Sequence, residues 1–163
     1  MQDKKGEHPF GDAGQLILFG TFLITWVLDS FVLHRSTFLA NNIPLVIRLI
    51  FLATALVAAF FLFKSGHKAV IGEQRPAKIL SSGAFRYVRH PLYLGSMLVY
   101  LGLTVATASL FCFALLLLIV LFYNYIADYE EKLMETKFGQ DYSAYRLKTG
   151  RWIPRFNKNP SQK

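Results

Sequence analysis

From Pro91 to Ile126 the chain carries no Asp, Glu, Lys or Arg. A helix crosses a ~30 Å hydrocarbon layer in roughly 20 residues, because it rises ~1.5 Å per residue. The stretch is too long for one crossing and suits a tight hairpin of two. Small and hydroxyl residues between Ala106 and Leu110 (Thr107, Ala108, Ser109) mark the turn, which predicts spans over 91–107 and 109–126. Two further apolar segments precede it, at 15–33 and 44–63, with Pro44 suited to the first turn of the second. The reading is an all-α polytopic membrane protein with about four transmembrane helices. Composition agrees: 53% of the 163 residues are apolar and 17% charged, more apolar surface than a soluble domain of this size hides.

Two segments are polar enough to leave the membrane, a loop at 64–90 and a tail at 127–156 that forms a helical cap. An even number of spans separates them, so both lie on one side. They hold most of the basic residues behind the net charge of +8. The positive-inside rule places the loop, the tail and the N-terminus in the cytosol, for a bacterial inner membrane or the endoplasmic reticulum. The cations fall between apolar blocks, so their partner is an anionic lipid face and not nucleic acid. The first residues lack a signal-peptide layout, so the first apolar segment is expected to remain as a span. The single cysteine, Cys112, excludes a disulfide within the chain and a thiolate metal cluster. The roles of Asp29 and His34 stay open: a snorkelling carboxylate near a span end with an interfacial histidine suits them better than a proton path. Oligomeric state is not legible, although Gly95 and Gly102 suit close helix packing.

The hairpin's arms have similar lengths, so residues near His90 and Glu130 are expected to meet at the cytosolic face. One element there is Arg89-His90-Pro91-Leu92-Tyr93-Leu94-Gly95. Pro91 reads as the first helical residue, which puts His90 beside free backbone donors at a helix start that favours a carboxylate or phosphate. The other is Asp128-Tyr129-Glu130-Glu131. Adjacent helix positions diverge by ~100°, so only one of the two glutamates points fully into a pocket. Taken singly, these residues also suit an interfacial belt, and the acids suit surface ion pairs with Arg86 and Arg89. In the tail, Phe138, Tyr142 and Tyr145 at helical spacing read as an amphipathic helix lying on the membrane.

In order, Ser82-Gly83 before an aromatic, Arg89-His90-Pro91-x-Tyr93-x-Gly95, an apolar hairpin, Glu130-Glu131, Phe138-Gly139 and a closing Trp152-Ile153-Pro154 resemble the integral membrane methyltransferases. These are the isoprenylcysteine carboxyl methyltransferases and the phospholipid methyltransferases. The resemblance covers about Lys78 to Pro154. It implies S-adenosylmethionine as cofactor, held under a cytosolic cap by Ala77, Lys78, Ile79, Leu80, Phe85, Arg89, His90, Pro91, Leu92, Tyr93 and Glu130, with no metal. Family members commonly have a tyrosine where Phe85 stands. The prenylcysteine enzymes carry an arginine shortly before the glutamate pair, where this chain reads Tyr125-Ile126-Ala127. The implied reaction is methyl transfer to a lipophilic acceptor, a prenylcysteine-like carboxylate or a lipid amine, that enters from the bilayer. His90 and Glu131 are the candidate bases for an amine. A similar Arg-His-Pro segment occurs in NADPH-dependent sterol reductases, so a membrane reductase is the alternative, with a non-enzymatic membrane assembly protein as a third reading.

Overall fold

Five α-helices make up most of the computed structural model, which describes residues 11–72 and 79–155 and, of these, the side chains of all but 68–72. They are α1 (Gly11–Val27), α2 (Leu45–Gly72), α3 (Pro91–Thr107), α4 (Leu110–Phe138) and α5 (Gln140–Lys148). A π-helical stretch, Leu28–Leu33, continues α1, so among the described residues three helices are long and apolar enough to cross a membrane: Gly11–Leu33, Leu45–His67 within α2, and α4. The shorter α3, 17 residues, reaches about 26 Å at ~1.5 Å per residue. The chain is thus a polytopic, all-helical membrane protein; among the described residues the β structure is one bridge, Val88 to Gly150.

The expected span ends differ from the helix ends, for local reasons. The described part of the first helix already includes Gly11, ahead of position 15. Pro44 precedes α2 and caps it, its carbonyl accepting from the N–H groups of Ile47 and Arg48. Nothing breaks α2 at Phe63, so it continues to Gly72 and takes the first part of the expected 64–90 loop into helix. Nor does anything break α4 at Ile126. It runs straight on until Gly139, whose φ of 53° a side chain would resist. The cap therefore starts after Phe138 and not at 127. The hairpin turn is Ala108, in the left-handed region, followed by Ser109, whose Oγ accepts from the Cys112 N–H and starts α4.

The bundle is fastened at the hairpin end by a carboxylate. Asp29 is not snorkelling; it is 2% exposed. It accepts from the Ser36 N–H at 3.0 Å, from Ser36 Oγ, and from Ser109 Oγ at 2.6 Å. Ser36 in turn accepts from the backbone N–H groups of Leu110 and Phe111. The loop after α1 is thereby bonded to the α3–α4 turn, and a buried charge keeps its hydrogen bonds. Nearby, Arg48 donates to the Ala106 carbonyl at 2.6 Å, a cation at the negative end of α3.

Glycines on α3 face α2. A side chain at Gly95 would start 3.1 Å from the Phe63 ring, and one at Gly102 would start 3.1 Å from both Ala55 and Leu52. Both positions thus serve packing inside one chain. The shared core is Phe22, Met97, Tyr100, Cys112, Leu116, Ile119 and Tyr123. The outer faces of α2 and α4, with Val46, Ile50, Phe60, Phe61, Leu117 and Leu121, are exposed and apolar, as lipid requires. Gly102→Leu is expected to force α2 and α3 apart, costing about 1–3 kcal/mol. A clearly lower thermal unfolding midpoint in detergent checks this; an unchanged midpoint rejects the packing assignment.

Candidate active site

At the end opposite the hairpin turn, α3 starts and α4 outruns the apolar layer. Its 29 residues reach about 44 Å, so its last turns, which carry Asp128, Glu130, Glu131 and Glu135, extend beyond a ~30 Å hydrocarbon layer. Pro91 occupies the first helical position of α3 and His90 caps it. This apposition brings His90 and Tyr93 against the glutamate pair, and the two glutamates part company there.

Glu131 turns inward and is 3% exposed. One of its oxygens accepts from Arg89 Nε at 3.0 Å, Arg151 Nε at 2.9 Å and His90 Nε2 at 3.2 Å. The other accepts from Arg89 Nη2 at 3.3 Å and Arg151 Nη2 at 3.1 Å. Arg89 also donates Nη1 to the Thr149 carbonyl at 2.6 Å, and its N–H bonds the Gly150 carbonyl. Arg151 further pairs with Asp128 at 2.6 Å. This geometry bears on two of the expected site residues. Glu131 has its lone pairs engaged by Arg89, Arg151 and His90 and is not among the lining residues of the chamber described below, which suits a fastening. Arg89 borders the cavity, but its guanidinium is spent on Glu131 and the tail carbonyls.

Glu130 points the other way. Tyr93 Oη donates to one oxygen at 2.6 Å, and His90 Nδ1 lies 3.5 Å from the other. His90 is stacked on Tyr93, with ring centroids 5.6 Å apart and planes 4° from parallel, and Tyr93 stacks on Tyr123 in turn. Trp152 touches the far side of His90 and donates to Asn124 at 2.8 Å. Burial pushes the His90 imidazole down, but hydrogen bonds and charge from Glu130 and Glu131 outweigh it, so its pKa is raised from the ordinary 6.5.

A chamber opens beside this cluster. Ile79, Leu80, Phe85, His90 and Glu130 border it on one side. Met134, Lys137, Phe138, Tyr142 and Tyr145 close it from the tail. A neck lined by Pro91, Leu92 and Tyr93 adjoins it. Ala77 and Lys78 lie outside the described residues. The tail tyrosines were expected on the membrane. Instead Gly139 turns α5 back over the bundle, which buries Tyr142 and points Tyr145 Oη at the Phe85 carbonyl, 2.6 Å away. Burial pushes the Tyr145 hydroxyl up to about 12, so it remains a donor. The chamber roof was missed because amphipathic spacing does not say which way a helix faces; the glycine before it was the available signal.

Residues 45–141 match a family model described as phospholipid methyltransferase. A methanethiol S-methyltransferase of Pseudomonas deceptionensis is 33% identical over 69% of this chain and 43% of its own length. Another protein of that name, from Crocosphaera subtropica, is 30% identical over 89% of this chain and 49% of its own. The chain thus spans less than half the length of both relatives.

Glu131→Ala leaves Arg89 buried beside His90 without its counter-charge and takes from Arg151 one of its two carboxylate partners. It should cost about 3–5 kcal/mol. The checks are a lower unfolding midpoint and faster proteolysis between α5 and Arg155; an unaltered cap rejects the fastening role. A raised His90 pKa contributes stability that is full below 6.5 and lost as pH climbs through the folded value. The unfolding midpoint should therefore fall on going from pH 6 upward, and this fall should shrink in His90→Gln.

Proposed function

The chain belongs to the phospholipid methyltransferase family, and from that premise we propose that it is an S-adenosylmethionine-dependent methyltransferase that modifies a lipophilic acceptor at the cytosolic face of its membrane. The observation that carries this reading is the roofed chamber beside Glu130, Tyr93 and His90. The basic residues of the tail and of the segment before α3 support the cytosolic orientation.

The chamber suits this cofactor chemically. Phe85, Phe138, Tyr142 and Tyr145 offer ring faces for a purine and a sulfonium. The start of α3, with His90 before it, offers the positive helix end to a carboxylate. Ile79 and Leu80 add an apolar wall. When bound, S-adenosylmethionine supplies a methyl group activated by its positive sulfur. The chain's own work is to bind, align and dry the site. The cap residues Tyr142 and Tyr145 exclude water, and the Tyr145 bond to Phe85 keeps roof and wall together. Arg89, Glu131 and Arg151 hold the tail in place without touching the reacting groups.

The acceptor is approached from two sides. The family's description names phospholipid, and the two relatives' names specify a thiol, methanethiol. A prenylcysteine-like carboxylate is less well served, because Tyr125-Ile126-Ala127 provides no cation ahead of the glutamates.

Purified protein in detergent should bind S-adenosylhomocysteine saturably by calorimetric titration and leave NADPH unbound; the reverse pattern defeats the proposal in favour of a reductase. Tyr145→Phe removes one hydrogen bond from the roof. It should weaken S-adenosylhomocysteine about 3–10-fold, the equivalent of a bond of ~0.5–1.5 kcal/mol.

A further inference from the structure

The chain that follows α5 turns back towards the bundle. The carbonyls of Thr149 and Gly150 accept from Arg89, and the next two side chains step down one face of α4. Arg151 holds Glu131 and Asp128, and Trp152 donates to Asn124 at 2.8 Å. Residues 131, 128 and 124 have the spacing of a single helix face, and their order runs towards the hairpin turn. Then the chain reverses. Arg155 donates to the carbonyls of Arg146 and Leu147 at the end of α5. A side-chain carbon at Gly150 would overlap the Ile153 carbonyl oxygen, so the bend admits only glycine there. Residues 150–155 thus descend, reverse and climb, with Ile153 at the tip.

Two gauges set the depth of this tip. Asn124 lies about 21 Å along α4 from its start at the hairpin turn, short of the far edge of a ~30 Å hydrocarbon layer. Tyr125 and Tyr129, both exposed on the same stretch, mark the level where aromatic side chains meet head groups. The face itself leads into lipid. Two turns nearer the hairpin than Asn124 it carries Leu117, 53% exposed on a membrane-spanning helix. Ile153 is 77% exposed at the end of the descent. At this depth its neighbours are acyl chains and not water. Trp152, just above it, has its ring against His90 and its N–H on Asn124, an apolar body with a satisfied polar tip that suits the boundary.

We propose that residues 150–155 are a re-entrant turn inserted into the leaflet at the polar end of the bundle, with Ile153 among the acyl chains, and that the bilayer is thereby a further fastening of the chamber roof. Irregular backbone is tolerated at such a depth where it lies against protein, and this turn lies against α4 and His90. The tail, expected from sequence to leave the membrane, returns part of itself to lipid. The coupling to the roof is short. Arg151 stands beside Trp152 and shares Glu131 with Arg89, so freeing the tip loosens the ion cluster that holds the end of α5.

A side chain this exposed accepts a carboxylate at little cost if water surrounds it, and at a large cost among acyl chains. The test uses the full chain in phosphatidylcholine bicelles, which leave both membrane faces open to water. Ile153→Asp should speed trypsin cleavage after the exposed Lys148 about 10-fold, because cleavage tracks the population of the open cap. Ile153→Leu should stay within about twofold of the wild-type rate. A nitroxide attached to Ile153→Cys should be relaxed more by oxygen than by a water-soluble nickel complex, and one attached to Ser143→Cys, exposed on α5, should show the reverse. Cys112 is fully buried, and the unsubstituted chain serves as the labelling blank. Cleavage of Ile153→Asp at the wild-type rate overturns the insertion. So does nickel access at Ile153→Cys equal to that at Ser143→Cys. Neither measurement involves a cofactor, so the turn stands or falls apart from the methyltransferase reading.

Discussion

Everything at the polar end of the bundle depends on one buried carboxylate. Glu131 gathers Arg89, Arg151 and His90 about two oxygens, and each of these donors belongs to a different part of the site. Arg89 leads into α3, Arg151 follows α5, and His90 stands between the chamber and the aromatic stack. A charge pair taken out of water repays its desolvation only when nearly every lone pair is matched, and here it is. The tail reinforces the arrangement through main-chain bonds, Arg89 N–H to the Gly150 carbonyl and Gly150 N–H to the Tyr87 carbonyl. The roof over the chamber is thus positioned by its fastening to the helix start and not by its own short helix.

The fold class was legible because lipid imposes a simple rule. Backbone groups without water must pair within a helix, and a helix needs a fixed length to cross. Pro91 to Ile126 carried that information in its lack of charge, and Ala108-Ser109 carried the turn. The helix ends were less legible. Hydropathy reports where charges begin, whereas a helix stops where the backbone is interrupted; α2 continues past Lys64, and α4 continues past its first charges to a glycine. The role of Asp29 was not legible for a related reason. Its partners Ser36 and Ser109 are distant in sequence, and single hydroxyls do not announce a network.

The site was legible in its cast and less so in its roles. The neighbourhood of His90, Tyr93 and Glu130 follows from hairpin geometry plus a proline at a helix start. Which glutamate faces the chamber depends on the rotation of α4, and periodicity leaves that angle free. The arginine of Arg-His-Pro belonged to the fastening, and the tail tyrosines belonged to the roof. Both assignments hinge on the turn at Gly139 and on Arg151, whose partners lie on other helices. Tertiary contacts of this kind outrank local amphipathic pattern.

The bond from Arg89 to the Thr149 carbonyl joins residues sixty positions apart. Seen along the axis of protein synthesis, this makes the chamber later to form than the helices it sits on. All four long helices precede α5 and are present before Thr149, Gly150 and Arg151 have been made. Closing so long a loop is slow relative to forming a helix. A nascent chain therefore passes through a stage in which the membrane bundle is built while its polar end is still open, and it becomes a closed vessel only when α5 and the turn after it fold back onto it.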